Sequence, residues 1–145
     1  MARPRPEVAV KKSILEMNEE EWIQHYSKVL DQKTERCHCS ASELATCSHC
    51  WIFSGRSDRD GYGRIDVIIP RVGKKVLFAH RLRLMVNMKT LQLPSNIETS
   101  HICGERFCVR ADHLSGEGKN INKGRQICHG LGQCSGHSPQ CIFPR

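Results

Sequence analysis

Long apolar runs and aromatic residues are scarce in this chain. No stretch approaches the ~20 consecutive apolar residues that a membrane-spanning helix needs, so we expect no membrane partner. The first 13 residues are rich in charge and proline and lack the apolar stretch of a secretory signal. Aromatic residues make up only 6% of the 145 residues, and hydrophobic residues 39%. We therefore predict a small domain with little conventional hydrophobic core, which other interactions must help to stabilise.

Cysteine and histidine, by contrast, are plentiful, with nine and eight residues respectively. Without a secretory signal, thiols are more often metal ligands than disulfides, and an odd number of cysteines fits a closed set of disulfides poorly. The 22 Lys and Arg residues exceed the 15 Asp and Glu residues, which gives a formal charge of +7. This excess is compatible with a nucleic-acid partner but does not by itself establish one.

The amino-terminal pattern predicts a basic arm followed by a helix. Residues 1–17 are assigned to the arm and residues 18–145 to a single domain. The helix is expected from Asn18 to Lys33, because Asn18 and Glu21 have the spacing of a capping box. Apolar residues recur after this capping box with helical periodicity, so we expect one face of the helix to lie on the core.

Two strands and a second helix are predicted in the middle of the chain. The strands run from Tyr62 to Ile69 and from Lys75 to Ala79, around a turn at 70–73 that contains proline and glycine. Alternation within the first strand places Ile65, Val67 and Ile69 on the core face and Arg64, Asp66 and Ile68 on the opposite face. The helix is expected from Ala79 to Met88. These elements predict an α+β fold with an antiparallel sheet.

The first candidate zinc site is built around C-x4-C-x4-H spacing. Cys103, Cys108 and His113 supply three ligands, and loops of this length can wrap around one tetrahedral ion. The fourth ligand must come from elsewhere, and the cysteines between residues 37 and 50 can supply it. Cys50 is the best placed because it directly precedes an apolar, strand-like run, and Cys47 is the alternative.

A second candidate site is complete within fourteen residues. Its C-x5-C-x2-H-x3-C pattern comprises Cys128, Cys134, His137 and Cys141. Three thiols and one imidazole so close together are typical of a structural zinc site, and this segment has little else to order it.

Three cysteines are left over by these two sites. Cys37, Cys39 and Cys47, with one of His38, His49 or His25, would complete a third site of the same type, and otherwise they are free thiols. The sequence therefore predicts two or three structural zinc ions per chain.

Polar residues beside and between the zinc patterns are candidates for catalysis. His101 is needed by neither of the first two zinc sites, and an imidazole suits general-base chemistry on water. Residues 115–125 predict a short polar helix in which Asn122 offers a carboxamide oxygen, a type of ligand that Mg²⁺ accepts. Taken singly, each of these features is more often an ordinary surface residue.

Taken together, these segments resemble the His-Cys box homing endonucleases, a branch of the ββα-metal (His-Me finger) nucleases. The resemblance rests on SHICGERFCVRADHL at 100–114, NKGR at 122–125 and the second zinc pattern, and it extends more loosely to HCW (49–51), GYGR (61–64) and AHRL (79–82). It implies a ββα-metal nuclease motif, an intracellular nuclear protein and a role in intron homing, while an organelle or viral context stays open. The surplus Cys37, Cys39 and Cys47 fall outside the family pattern.

The activity implied by the resemblance is sequence-specific cleavage of double-stranded DNA. His101 looks like the general base that activates water, and Asn122 looks like the protein ligand of one catalytic Mg²⁺. The hydrolysis would leave 5′-phosphate and 3′-hydroxyl ends. Arg64 or Arg71 would hold the scissile phosphate, with a slight preference for Arg64 because GYGR is the better-preserved motif.

Such an enzyme would bind DNA through a β-sheet, and a homodimer is the simplest way to cut both strands. The candidate DNA contacts are Arg56, Arg59, Arg64, Asp66, Arg71, Lys74, Lys75, Lys123 and Arg125. Two other functions stay open, namely a zinc-containing DNA-binding module without cleavage and a zinc-stapled protein-interaction module. The presence of both His101 and Asn122 favours the nuclease over the binding module.

Overall fold

The computed structural model describes residues 13–44 and 46–143, and these form helices and short antiparallel sheets. The helices are α1 (Glu19–Gln32), the single turn α2 (Ala41–Leu44), α3 (Ala79–Asn87) and α4 (Lys119–Leu131). The strands are β1 (Thr34–Glu35), β2 (Ile52–Phe53), β3 (Arg64–Ile69), β4 (Gly73–Phe78), β5 (Glu98–His101) and β6 (Leu114–Glu117). They pair as β1 with β2, β3 with β4, and β5 with β6. The predicted α+β class is confirmed.

The predicted first helix is confirmed together with its cap. The Asn18 side chain accepts a hydrogen bond from the Glu21 main-chain N–H at 2.9 Å, and the Glu21 carboxylate accepts one from the Asn18 N–H at 3.2 Å. These two bonds satisfy main-chain donors that the first turn of a helix otherwise leaves without partners. The helix α1 buries Trp22, Tyr26 and Leu30 on one face.

The central hairpin matches its predicted pattern. Ile65, Val67 and Ile69 are buried, whereas Asp66 between them is exposed. The aromatic side chains of α1 bind the main chain of this strand, since the Trp22 indole N–H donates to the Ile68 carbonyl at 2.8 Å and the Tyr26 hydroxyl accepts from the Ile68 N–H at 2.8 Å. The helix α1 is thereby fixed against β3 by hydrogen bonds as well as by apolar contact.

The apolar core lies between α1, the β3–β4 hairpin and α3. It comprises Trp22, Tyr26, Leu30, Phe53, Ile65, Val67, Ile69, Ala79, Leu82, Leu84, Met85, Val86, Leu93 and Val109. The predicted second helix is confirmed with Leu82, Met85 and Val86 inward. Val109 is the one member of this core that follows residue 93.

Two details differ from the sequence-based expectations or fall beyond them. Residues 1–12 of the predicted arm lie outside the described residues, but the adjoining Ile14 and Met17 pack against the core. The polar helix expected within 115–125 is longer, because α4 continues to Leu131 and carries Cys128 into the second zinc pattern. Among the helices of the described chain, none is long and apolar enough to cross a membrane.

Candidate metal centres and active site

Main-chain pairing between two distant segments assembles the first metal cluster. The Val109 N–H donates to the Trp51 carbonyl at 2.8 Å, and the Phe53 N–H donates to the Phe107 carbonyl at 2.8 Å. Because Cys50 directly precedes Trp51 and Cys108 directly precedes Val109, this pairing carries the two cysteines to the same place. The pairing of these two segments therefore determines which of the cysteines between residues 37 and 50 joins the cluster.

The first cluster comprises Cys50, Cys103, Cys108 and His113, whose ligand atoms all lie within 4.8 Å of one another. The sulfur atoms of Cys50 and Cys108 lie 3.8 and 3.5 Å from His113 Nδ1. Cys103, Cys108 and His113 are buried, and Cys50 is partly exposed. Of the two alternatives for the fourth position, the structure places Cys50 here and Cys47 in another cluster.

The second cluster forms where the chain turns back after α4. Gly132 ends the helix in a left-handed conformation (φ +74°), which glycine adopts without steric cost. The chain then returns past His137, whose Nδ1 lies 3.5, 3.8 and 3.7 Å from the sulfur atoms of Cys128, Cys134 and Cys141. The structure thus brings together all four residues of the predicted second site.

The third cluster is local in sequence and more exposed than the other two. It comprises Cys37, Cys39, Cys47 and His49. The Cys37 and Cys47 sulfur atoms are 3.9 Å apart, and Cys39 Sγ lies 3.4 Å from His49 Nδ1. Among the three histidines proposed from the sequence, His49 joins this cluster, whereas the rings of His25 and Tyr26 pack edge to face at 4.8 Å.

The donor atoms and spacings of all three clusters fit structural zinc. A tetrahedral ion with Zn–S near ~2.3 Å and Zn–N near ~2.0 Å places neighbouring ligand atoms about 3.5 to 3.8 Å apart. The sulfur–nitrogen distances of 3.4 to 3.8 Å have this length. Thiolate and imidazole ligands in a set of four are also the donors that zinc prefers. The spacings are therefore those of ligands around a common centre.

Arg110 connects the first and third clusters. Its guanidinium donates to Cys47 Sγ at 3.1 Å and to the His49 carbonyl at 2.9 Å, and it forms an ion pair with Asp112 at 2.6 Å. This contact lowers the pKa of the Cys47 thiol to about 6. Because Arg110 lies between Cys108 and His113 in sequence, it ties the loop of the third cluster to the loop of the first.

Arg125 is buried, and this corrects the prediction that it contacts DNA. Its guanidinium donates to both oxygens of Glu117 at 2.6 Å and to Cys141 Sγ at 3.5 Å, and its side chain is only 1% exposed. Burial acts to raise the pKa of Glu117, but the hydrogen bonds and charge of Arg125, together with hydrogen bonds from Ser100 and Ser115, outweigh it and leave that pKa below its ordinary value. The arginine therefore joins α4 to β6 and to the second cluster.

A cavity of about 480 Å³ lies between β5, α4 and the start of α3. Its walls are polar and aromatic, and they include both residues predicted to carry the chemistry. The lining residues are Tyr62, Phe78, His80, Arg81, Glu98, Thr99, His101, Gly104, Arg106, Asn122, Gln126 and His129. The structure thus brings His101 and Asn122 to one concave surface, although they lie on different elements.

His101 is held at the end of β5 next to a second histidine. Its Nε2 lies 3.0 Å from the Cys108 carbonyl, so this main-chain group of the first cluster orients the ring. Burial lowers the pKa of His101 to about 4, so the imidazole is neutral at pH 7. The His80 ring packs 4.2 Å away, and burial, with a smaller electrostatic contribution from the neighbouring His101, holds the pKa of His80 well below 6.5.

Asn122 faces the cavity from the first turns of α4. Its side-chain nitrogen donates to Glu98 Oε1 at 2.8 Å. A carboxylate is an acceptor only, so this bond assigns the nitrogen of the carboxamide to Glu98 and leaves the oxygen as the free acceptor of the group. An oxygen of this type suits a hard divalent cation such as Mg²⁺.

The two candidate arginines for the scissile phosphate occupy different places. Arg64 packs its guanidinium 3.9 Å from the centre of the Phe78 ring, which lines the cavity, and pairs with Asp58 at 3.0 Å. Arg71 is exposed in the β3–β4 turn with φ +68° and does not line the cavity. Neither of these two arginines lines the cavity, although Arg64 contacts Phe78, which does, and the arginines in the cavity wall are Arg81 and Arg106.

The remaining candidate DNA contacts are exposed side chains. Arg56, Arg59, Asp66, Lys74, Lys75 and Lys123 are all exposed. Arg56 and Asp66 form an ion pair with each other at 2.9 Å, so neither is free of a protein partner. On the β3–β4 hairpin, Lys74 is paired with Ile68, on the side of the sheet that the pattern predicts to face away from the core.

Sequence reasoning missed several residues of the site. Arg110, His80 and Glu98 carry no spacing that distinguishes them from ordinary polar residues, because their partners are distant in sequence. The AHRL segment at 79–82 contains His80, and its resemblance to the nuclease family was the one signal that pointed to this position.

Comparison with known protein families gives a match over most of the chain. A family model described as the zinc-binding loop region of homing endonuclease matches residues 49–144. This span contains the complete first and second clusters, His101 and Asn122, and it begins at His49 of the third cluster. Searches of curated proteins and of solved structures gave no match.

Proposed function

The chain belongs to this homing endonuclease family, and from that premise we propose that it is a divalent-cation-dependent DNA endonuclease. The observation that supports the proposal is the cavity that His101 and Asn122 share. A neutral, oriented imidazole and a free carboxamide oxygen on facing elements are what a one-metal hydrolysis of a phosphodiester needs.

In the proposed reaction, His101 takes a proton from the attacking water. The Cys108 carbonyl fixes one ring nitrogen, so the other nitrogen is available to the water. A magnesium ion held by Asn122 would supply positive charge to the phosphate and to the departing 3′ oxygen. Arg81 or Arg106 in the cavity wall, or Arg64, which contacts the cavity-lining Phe78, would steady the negative charge of the phosphate, and the products carry 5′-phosphate and 3′-hydroxyl ends.

The family implies DNA binding, and we propose the β3–β4 hairpin as the recognition surface. Its exposed Lys74, Lys75 and Arg71, with Arg56, Arg59 and Lys123, supply positive charge for phosphate contacts. A homodimer with two such surfaces would cut both strands. We further propose the role in intron homing and the nuclear location that the family resemblance implies.

We also propose three structural zinc ions per chain, one in each cluster. Elemental analysis of the purified protein is expected to give three zinc per chain. A value of one or none would contradict the proposal of three zinc ions. A value of two would contradict the zinc ion proposed for the third cluster. Changing Cys39 to Ser should then lower the count by one without affecting the other two centres.

Supercoiled plasmid cleavage tests the proposed activity, with Mg²⁺ or Mn²⁺ and a plasmid that carries the native flanking sequence of the gene. The wild type is expected to nick or linearise the plasmid. His101→Ala should slow cleavage by about 10² to 10⁴ while DNA binding persists. Asn122→Ala should have a comparable effect, and the matched control His38→Ala, an exposed histidine away from the cavity, should cleave like the wild type.

Three results would contradict parts of the nuclease proposal. Cleavage by His101→Ala at the wild-type rate would contradict the assignment of His101 as the general base. DNA binding by the wild type without any cleavage would favour a non-catalytic binding module. If binding itself does not weaken steeply with salt, a protein-interaction module becomes the better account.

A further inference from the structure

The cavity contains one acidic side chain whose role is not explained by the nuclease resemblance. Among the described residues that line it, Glu98 is the only acid. It lies at the start of β5, three residues before His101, and it is partly buried. The resemblance supplies Asn122 as the protein ligand and assigns nothing to Glu98.

The bond between Glu98 and Asn122 is not needed to attach α4 to the β5–β6 hairpin. Arg125, one turn further along α4, already joins Glu117 of β6 through two hydrogen bonds of 2.6 Å in a buried setting. Glu98 and Glu117 are paired residues of the antiparallel sheet. The two acids thus bind α4 side by side, one in the interior and the other in the cavity wall.

Glu98 and Asn122 line the cavity with two oxygen atoms that accept no hydrogen bond from the described residues. One carboxylate oxygen accepts the Asn122 N–H, which leaves the carboxamide oxygen as an acceptor, and the second carboxylate oxygen has no protein donor among the described residues. A carboxylate oxygen and a carboxamide oxygen on adjacent side chains are both hard ligands. The carboxylate also balances part of the charge of a divalent ion among the cationic and neutral groups of this wall.

We infer that Glu98 and Asn122 together form the divalent-cation site of this cavity. Glu98 orients the Asn122 carboxamide through one oxygen and binds the cation through the other. The inference rests on the proposed nuclease function for its biological meaning, but the binding of the cation can be measured without DNA.

Mn²⁺ binding to the full-length, zinc-loaded chain, followed by the electron paramagnetic resonance signal of free Mn²⁺, tests this inference. The wild type is expected to bind Mn²⁺. Glu98→Gln keeps an acceptor for Asn122 but removes the charge, and it should raise the dissociation constant at least about tenfold. Glu98→Ala removes the acceptor as well and should weaken binding at least as much.

Glu105→Gln is the matched control, because Glu105 is an exposed acid in the loop after β5 and does not line the cavity. It should bind Mn²⁺ like the wild type, and the zinc content of every variant should match the wild type. Unchanged Mn²⁺ affinity in Glu98→Gln, or equal loss in Glu105→Gln, would overturn the inference. Absence of Mn²⁺ binding by the wild type would overturn it too.

The outcomes separate this inference from the nuclease proposal. A wild type that binds Mn²⁺ through Glu98 but cleaves no DNA would contradict the proposed function and support the cation site. A wild type that cleaves DNA while Glu98→Gln binds Mn²⁺ unchanged would support the nuclease and overturn the role of Glu98.

Discussion

Residues 14–93, here called the core region, bury an apolar interior and carry the third cluster near the surface, whereas residues 97–143, here called the metal region, bury thiols, imidazoles and an ion pair. In the core region, Trp22, Leu30 and Leu82 are fully buried. In the metal region, the fully or nearly fully buried side chains include Cys108, His113 and Arg125. Cys50 links the two regions, because it comes from the first and joins a cluster of the second, and Arg110 links them in the opposite direction through Cys47 and His49.

The comparison explains why the candidate active site lies where it does. His101 and Asn122 are both in the metal region, where short, polar segments have little apolar surface to bury. Metal ligands fix the backbone beside them instead, as the Cys108 carbonyl does for His101. The polar part of the cavity wall can therefore be held in place by metal ligands, while Tyr62, Phe78, His80 and Arg81 of the core region complete the wall.

Loss of a ligand from the first cluster should destabilise the metal region more than any other single change. Cys108→Ser is expected to lose one zinc and to unfold the metal region, because structural zinc contributes about 10–16 kcal/mol in small zinc domains, more than most domains have in total. Zinc analysis with far-ultraviolet circular dichroism measures this. Retention of three zinc ions and a wild-type spectrum would show that this cluster does not hold the region.

Loss of the buried ion pair between Arg125 and Glu117 should have the second-largest effect on stability. Arg125→Met leaves the Glu117 carboxylate buried without its partner, and we expect a loss of about 3–5 kcal/mol in the free energy of unfolding. Glu117→Gln combined with Arg125→Met removes both charges and should recover part of that loss. Urea unfolding of the three proteins provides the measurement, and equal stability of the single and double variants would argue against a charge effect.

The matching change in the core region is a substitution that shortens a buried apolar side chain. Leu82→Ala should cost about 2–5 kcal/mol in unfolding free energy, because Leu82 is fully buried in α3. Since no metal ligand is altered, the zinc content should stay at the wild-type value. If zinc is lost in this variant under native conditions, the two regions are not held independently.

The smallest effect is expected at the third cluster. Cys39→Ser should lose one zinc and lower stability by about 1 kcal/mol, or about 4 °C in Tm, because this cluster is partly exposed and local in sequence. Differential scanning calorimetry would measure the shift. A loss as large as that of Cys108→Ser would place the third cluster among the main supports of the fold.

The two regions also differ in how well the sequence predicts them. Helix α1 and the β3–β4 hairpin follow from a capping box and from periodicity, which are local signals. The second cluster was likewise readable from spacing, because its four residues lie within one short segment. Cys50 was favoured over Cys47, but the main-chain pairing of Trp51 with Val109 that selects it is a tertiary contact.

Long-range contacts also account for what the sequence could not supply. The bond from Asn122 to Glu98 and the contacts of Arg110 join residues 24 or more positions apart. Arg125 in NKGR had the sequence context of a DNA contact, and only its burial against Glu117 shows that it is structural. Charge alone therefore did not separate a phosphate-binding arginine from an interior one.

Hydrogen–deuterium exchange with and without a zinc chelator tests the central claim most directly. If zinc holds the metal region and apolar burial holds the core region, chelation should remove the protection of amides in β5, β6 and α4, while α1 and α3 keep most of theirs. Equal loss of protection in α1 and α3 at the same chelator concentration would contradict the account, as would unchanged protection in α4.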